Sequence, residues 1–261
     1  MGTKFSTRVW VSVVGIASIF FGSKGYADTV ISVADFGLKP DTRENAVAYV
    51  QKAIEACRGK EPVTLVFPEG RYDFWPQYAH EKNYYETNTY DVFPKRLAML
   101  FEGLHNITVD GNGSQFVMHD RIQPITVENC DGVTLKNFSI DWDIPLTAQA
   151  RVTKVGSDFF EIEINVLESP YIIEDGKLVF VGEGWKSALG SMIEFESDTH
   201  FVVPGTGDLV LGRNWRDYTA VSPRYGIVRL SRKGGFERYP AEGNWFCLLS
   251  HLRAHETELH L

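Results

Sequence analysis

The sequence predicts an all-β fold: the start of a parallel β-helix with an N-terminal capping helix, plus an inserted antiparallel β-barrel-like module. Three observations carry this reading. Between Asp41 and Phe67 a single amphipathic helix is followed directly by one apolar strand. Between Leu100 and Asp141 short apolar strands recur, with Ile107–Gly111 and Val133–Asn137 lying 26 residues apart. From Ala150 onward, alternating strands are joined by turns rich in Gly and Asp, the pattern of hairpins.

The first 27 residues stand outside the fold. Lys4 and Arg8 make a basic start, and Val9 to Gly22 is an apolar core too short to span a bilayer comfortably. Gly25-Tyr26-Ala27 reads as a small-x-small cleavage site. Processing there leaves Asp28 as the first mature residue and predicts export to a periplasmic or extracellular location, with no membrane attachment after cleavage. An uncleaved N-terminal anchor is the alternative.

The cap comes next. Asp41 and Thr42 offer an N-cap, and Glu44 places an acid near the positive end of the helix. Ala46, Val47, Val50, Ala53, Ile54 and Cys57 recur at helical spacing, which gives one buried face. Gly59 closes the helix, and Val63 to Phe67 is a strand stopped by Pro68, Glu69 and Gly70. A stack of coils exposes an apolar cross-section at its end, and a helix laid across it buries that section and blocks edge pairing. This block resembles the N-terminal cap of secreted right-handed parallel β-helix proteins, a group that includes pectin-degrading enzymes. An ordinary βα unit opening an α/β domain remains the other reading.

Tyr72 to Lys95 is crowded with aromatics, Asn and His, and reads as a long loop, either a wall of a sugar-binding groove or a cover over the cap. In the repeating region, Phe116-Val117-Met118-His119 aligns with Phe138-Ser139-Ile140-Asp141, and Leu100 with Ile125. Asn106 and the Asn129–Gly132 turn mark corners. Stacked coils need strands at such a period, although a meandering antiparallel sheet could show it by coincidence. The expected organisation is a signal peptide over 1–27, cap and first coils over 28–148, an inserted antiparallel module over 149–225, and a return toward the coils over 226–261.

Composition narrows function by exclusion. A net charge of −8 without a basic run argues against nucleic acid, whose phosphates demand clustered Lys and Arg. An aromatic content of 13% with six tryptophans leans toward carbohydrate, because sugar rings present flat C–H faces to indole and phenol rings, although most aromatics are simply core. Cys57, Cys130 and Cys247 have no metal-ligand spacing and allow one disulfide at most; none is expected to be catalytic.

Ser139 to Arg151 (SIDWDIPLTAQAR), GEGWKS at Gly182 to Ser187, VVPGTGD at Val202 to Asp208 and YETNTYDVFPKRLAMLFEG at Tyr85 to Gly103 narrow the resemblance. The chain is similar to the N-terminal portion of glycoside hydrolase family 110, bacterial exo-acting α-1,3-galactosidases, up to about Trp245. The resemblance implies a β-helix carrying inserted β-barrel modules and inverting, metal-independent hydrolysis of terminal α-1,3-linked galactose, without a cofactor. It implies a galactose-terminated oligosaccharide or glycoconjugate as the partner. Family members are considerably longer, and their catalytic carboxylates belong to later coils; the stretch from Phe246 also stops matching. A truncated or frame-disrupted member, of weak or no activity, is therefore expected, with a non-catalytic carbohydrate-binding fragment as the alternative.

Among residues present, Asp141 and Asp143 flank Trp142 and on a strand point to one face, with Cα atoms about 6.6 Å apart. That makes them candidate catalytic and substrate-binding carboxylates, since an inverting pair stands about 6.5 to 9.5 Å apart. Aspartates at strand ends more often cap turns. Glu183, Trp185 and Lys186 form a second candidate for sugar contact, a ring flanked by an acceptor and a donor; a hairpin with one packed Trp is the plainer reading. His119 and His80 have no metal-binding neighbour at helical or strand spacing and read as polar surface or satisfied core. Gly205–Asp208 is a turn rather than a nucleotide loop, and no metal site is expected.

Overall fold

The computed structural model describes residues 29–83, 94–204, 211–212 and 215–249. The leader at 1–27, much of the aromatic stretch, the Gly205–Asp208 turn and the tail from 250 lie outside the described residues.

Strand β1 (Thr29–Ser32) leads through a short 3-10 turn to helix α1 (Val47–Cys57), then β2 (Val63–Val66) and β3 (Arg71–Phe74). The expected cap residues do not cap. Asp41 takes φ +61 and accepts the backbone N–H of Arg71, whereas Asn45 Oδ1 accepts the N–H of Val47 at 3.1 Å. The helix begins later than its polar prelude because Asn45 is anchored in the fold, its amide reaching the carbonyl oxygens of Trp75 and Gln77. The apolar face is as expected: Val47, Val50, Ala53, Ile54 and Cys57 are buried.

Next come β4 (His80–Lys82), β5 (Lys95–Glu102), β6 (His105–Met118), β7 (Gln123–Glu128) and β8 (Asp131–Trp142). The stretch read as one long loop thus holds β3 and β4. Strand β6 pairs in parallel with β2, β3 and β8, while β5 and β7 pair in parallel in a second sheet. The 26-residue spacing holds from Ile107↔Val133 to Asp110↔Lys136. Beyond it the register shifts, and Phe116 faces Ile140 while Ser114 faces Phe138. The expected pairing of Phe116 with Phe138 therefore describes side chains and not backbone: the rings stack at 4.7 Å although their strands are offset. Two extra residues around Gly111–Gly113 in β6 cause the slip. Likewise Leu100 faces Thr126, and Met99 takes Ile125. The corners at Asn106 (φ +48), Asn129 (φ +51) and Gly132 (φ +69) are left-handed as expected; a Cβ on Gly132 would stand 2.6 Å from Asn106 Oδ1. Phe67, Phe74, Phe116 and Met118 fill the interior between the sheets and α1.

The remaining strands are antiparallel. They are β9 (Thr147–Val155), β10 (Phe159–Ile164), β11 (Tyr171–Glu174), β12 (Lys177–Gly182), β13 (Trp185–Ala188), β14 (Ser191–Phe195), β15 (Thr219–Arg224), β16 (Ile227–Ser231) and β17 (Trp245–Leu249). One sheet runs β14-β17-β9-β10-β16-β15, and a smaller one β11-β12-β13. Turns at 156–158 and 175–176 connect hairpins, the second with Asp175 at φ +50 and Gly176 at φ +72. The expected return toward the coils after residue 226 does not occur. Strand β16 pairs with β10 and β15, and β17 with β9 and β14, because Val228, Leu230, Phe246 and Leu248 complete this module's own core. No helix among the described residues is long and apolar enough to cross a membrane.

Candidate functional site

Three parallel strands end in one row. Phe74 faces Met118 and Met118 faces Trp142, so the next residues, Trp75, His119 and Asp143, stand side by side across the sheet. The ladder continues one step past the strands, with His119 N–H donating to Phe74 O at 2.9 Å and Asp143 N–H to Met118 O at 3.0 Å. The Trp75 ring stacks on the His119 imidazole at 3.7 Å and 12°. A two-residue turn, Glu183-Gly184, closes β12 onto β13 and meets this row from the antiparallel module.

His119, 2% exposed, lies between two carboxylates: Nε2 is 2.8 Å from Asp73 Oδ1 and Nδ1 is 2.6 Å from Glu183 Oε2. A carboxylate at each ring nitrogen fixes the orientation of the imidazole. Arg71 Nη2 donates to Asp73 Oδ1 at 2.6 Å and to Asp143 Oδ1 at 2.8 Å. Arg71 and Asp73 share one strand face because they are two residues apart. Burial by itself would raise the pKa of Asp73, yet hydrogen bonds from Arg71 and His119 bring it below the ordinary carboxylate value. The same hydrogen bond to Asp73 raises Arg71 well above its usual value.

Asp143 and Glu183 are the open members of the network, with side chains 34% and 36% exposed. Ligand atoms of His119, Asp143 and Glu183 lie within 4.8 Å of one another, close enough to surround a cation. The donor set does not favour one: both imidazole nitrogens are already engaged, and Asp143 is neutralised by Arg71, with Arg43 a further 4.0 Å contact. What the arrangement offers is hydrogen-bond acceptors on two carboxylates held by Arg71 and His119.

The sequence candidates divide accordingly. Asp143 and Glu183 come together here. Asp141 accepts the backbone N–H of Trp142 at 2.8 Å and joins none of these contacts. Trp142 faces the core, as expected, and its indole N–H donates to Asp120 O. Trp185 is only 8% exposed, packed in the antiparallel core against Gly182, which is the packed hairpin Trp of the plainer reading and not an open platform for a sugar. Lys186 points the other way along the strand and pairs with Glu174 at 3.2 Å. Gly184, at φ +73, approaches Asp120 so closely that a Cβ would stand 2.6 Å from its carboxylate. His119, Arg71 and Asp73 are the members that sequence reading missed. A repeat alignment offset by 24 residues would have set His119 beside Asp143; the 22-residue alignment set it beside Asp141.

Residues 148–246 match the family model described as GLAA-B beta-barrel domain I. Over 231 residues, 88% of this chain and 37% of the relative, the sequence is 54% identical to alpha-1,3-galactosidase B of Bacteroides thetaiotaomicron. The chain is a partial homologue of the alpha-1,3-galactosidases. It is also 32% identical over 225 residues to alpha-1,3-galactosidase A of Shewanella woodyi, covering 85% of this chain and 36% of that one. To an alpha-1,3-galactosidase B of Phocaeicola vulgatus it is 36% identical over 205 residues, 77% of this chain and 32% of the relative. The chain thus spans roughly a third of the length of these relatives. The antiparallel strands from Thr147 to Leu249 coincide closely with the barrel domain, and the parallel strands precede it.

Proposed function

We propose that this chain is an exported protein of the α-1,3-galactosidase type that recognises terminal α-1,3-linked galactose on glycans, using the metal-independent, inverting chemistry its relatives' family implies. The observation that carries this is 54% identity across 88% of the chain to a protein named alpha-1,3-galactosidase B. In this reading Asp143 and Glu183 accept hydrogen bonds from galactose hydroxyls, held in place by Arg71 and His119. The parallel sheets form the first coils of a right-handed β-helix, supported by the stacking of β2, β6 and β8 in one direction. Residues 1–27 act as a signal peptide.

A second reading, binding without turnover, is favoured by one distance. Inverting hydrolysis needs an acid on the leaving oxygen and a base activating water, about 6.5 to 9.5 Å apart. One oxygen of Asp143 and one of Glu183 lie within 4.8 Å of each other, a closer approach than that range describes. These two carboxylates therefore bind in either reading, and the acid and base for turnover are other groups.

The test is equilibrium binding and hydrolysis of an α-1,3-linked galactosyl disaccharide by the purified chain. Binding weakened at least ten-fold by Asp143→Asn or Glu183→Gln supports the site. A folded chain with no affinity for the disaccharide sinks both readings. Turnover by the wild-type chain rejects binding alone, and its loss at saturating disaccharide in an Asp141→Asn, Asp143→Asn double variant that still binds would make that pair catalytic.

A further inference from the structure

The solvent face of α1 carries a cleft that the network around His119 does not use. Its volume is about 380 Å³, within the size range of small-ligand sites, and it is lined by Glu44, Asn45, Ala48, Tyr49, Lys52 and Tyr78. Ala48, Tyr49 and Lys52 lie on α1 on the side away from the buried stripe, so the helix forms one wall, and Glu44 and Asn45 come from the segment just before it. Tyr78 forms the other.

The placement of Tyr78 is specific. Its backbone sits at φ +69, an unusual conformation for a bulky aromatic residue, and its side chain remains 65% exposed. Three contacts hold the turn in that shape. Gln51 Nε2 donates to Tyr78 O at 2.8 Å, Asn45 Nδ2 to Gln77 O at 2.9 Å, and Ala79 N–H to Pro76 O at 3.1 Å. Backbone strain maintained by surrounding bonds is characteristic of ligand clamps. Here the exposed Tyr78 lines the cleft together with Tyr49. The side chains of Glu44, just before the helix, and Lys52, on it, are both exposed at the rim and make no ion pair among the described residues. One is an acceptor and the other a donor, each free to bond a ligand.

The geometry points to a binding site for a neutral pyranose residue of a glycan in the cleft between Tyr49 and Tyr78, with Glu44 and Lys52 bonding its hydroxyls. Flat C–H faces suit the two phenol rings. A phosphate or other anion is disfavoured, because Glu44 stands beside the single lysine, and a purely apolar ligand would leave both charges unused. This site goes beyond the role given above to Asp143 and Glu183 and does not depend on it.

The experiment is a titration of the full chain with methyl α-galactoside and with the α-1,3-linked galactosyl disaccharide, followed by NMR line broadening and shift changes. Six proteins are compared: wild type, Tyr78→Ala, Tyr78→Phe, Glu44→Gln with Lys52→Ala, Asp143→Asn with Glu183→Gln, and that last pair with Tyr78→Ala added. Thermal melts check folding, and Tyr78→Phe, which keeps the ring, should restore binding. The expected result is saturable binding that persists in the Asp143 and Glu183 double variant and is weakened at least ten-fold there by adding Tyr78→Ala. Unchanged binding in Tyr78→Ala and in the Glu44 and Lys52 variant overturns the site, even if the Asp143 and Glu183 variant loses binding, which would leave the other proposal intact. Absence of any pyranose binding to folded wild type overturns it as well.

Discussion

His119 Nδ1 stands 2.6 Å from Glu183 Oε2, a contact that joins the end of a parallel strand to a hairpin of the antiparallel module. Two segments 64 residues apart in sequence are thereby fixed in mutual orientation through one nearly inaccessible ring. Glu183→Ala leaves that buried nitrogen without its carboxylate, and we expect a loss of roughly 1 to 3 kcal/mol in urea unfolding. Glu183→Gln keeps an acceptor and should lose less. Equal losses in the two variants would mean that packing, not the hydrogen bond, sets the junction.

Asp73 governs acid sensitivity. Its pKa is depressed in the folded chain relative to 3.8, so its stabilising contribution is complete above that pH and is lost as the pH falls through the lower folded value. Asp73→Asn should cost about 3 kcal/mol at neutral pH, since it breaks a buried ion pair from one side. It should also flatten the fall in thermal midpoint below pH 4. An unchanged acid limb in the variant would show that other carboxylates dominate.

Phe116 touches Phe67, Tyr72, Phe74 and Phe138 and is fully buried. Phe116→Ala should destabilise the chain by about 3 to 5 kcal/mol, read as a lower denaturant midpoint at unchanged slope.

Gly132→Ala tests the stacked corners. It imposes a side chain on a left-handed backbone and drives it against Asn106, at an expected cost of roughly 1 to 2 kcal/mol. Pairing it with Asn106→Gly should recover part of that loss, because the opposing amide is gone. No recovery would trace the cost to backbone conformation alone.

Much of this molecule was legible because its signals are local or periodic. The apolar stripe of α1 and the hairpin turn at Asp175-Gly176 needed only neighbouring residues to be recognised. The 26-residue match of Ile107 with Val133 needed only a repeat. Where a long-range contact decides, the reading failed. Asn45, and not Asp41 or Thr42, accepts the first-turn N–H of Val47 because Trp75 and Gln77 anchor it, which no helix-start pattern reveals. The two-residue slip in β6 hid the row containing His119 and Asp143, while Trp185 took the packed position that was its plainer reading. The site was half visible: Asp143 and Glu183 were singled out for chemistry, while their supports, Arg71, Asp73 and His119, entered only through tertiary contact.

The order β14-β17-β9 in the large antiparallel sheet has a kinetic corollary. Strand β9 is made early and β14 before β17, yet they do not pair with each other; both wait for β17, where Leu248 meets Ala148, 100 positions away in sequence, and Met192 on its other side. The hairpins can form as the polypeptide emerges, but the sheet stays in two pieces until its latest-synthesised strand slides between them. Closure is thus a high-contact-order step, and it leaves the facing edges of β9 and β14 open to mispairing until the strand that fills the gap is in place.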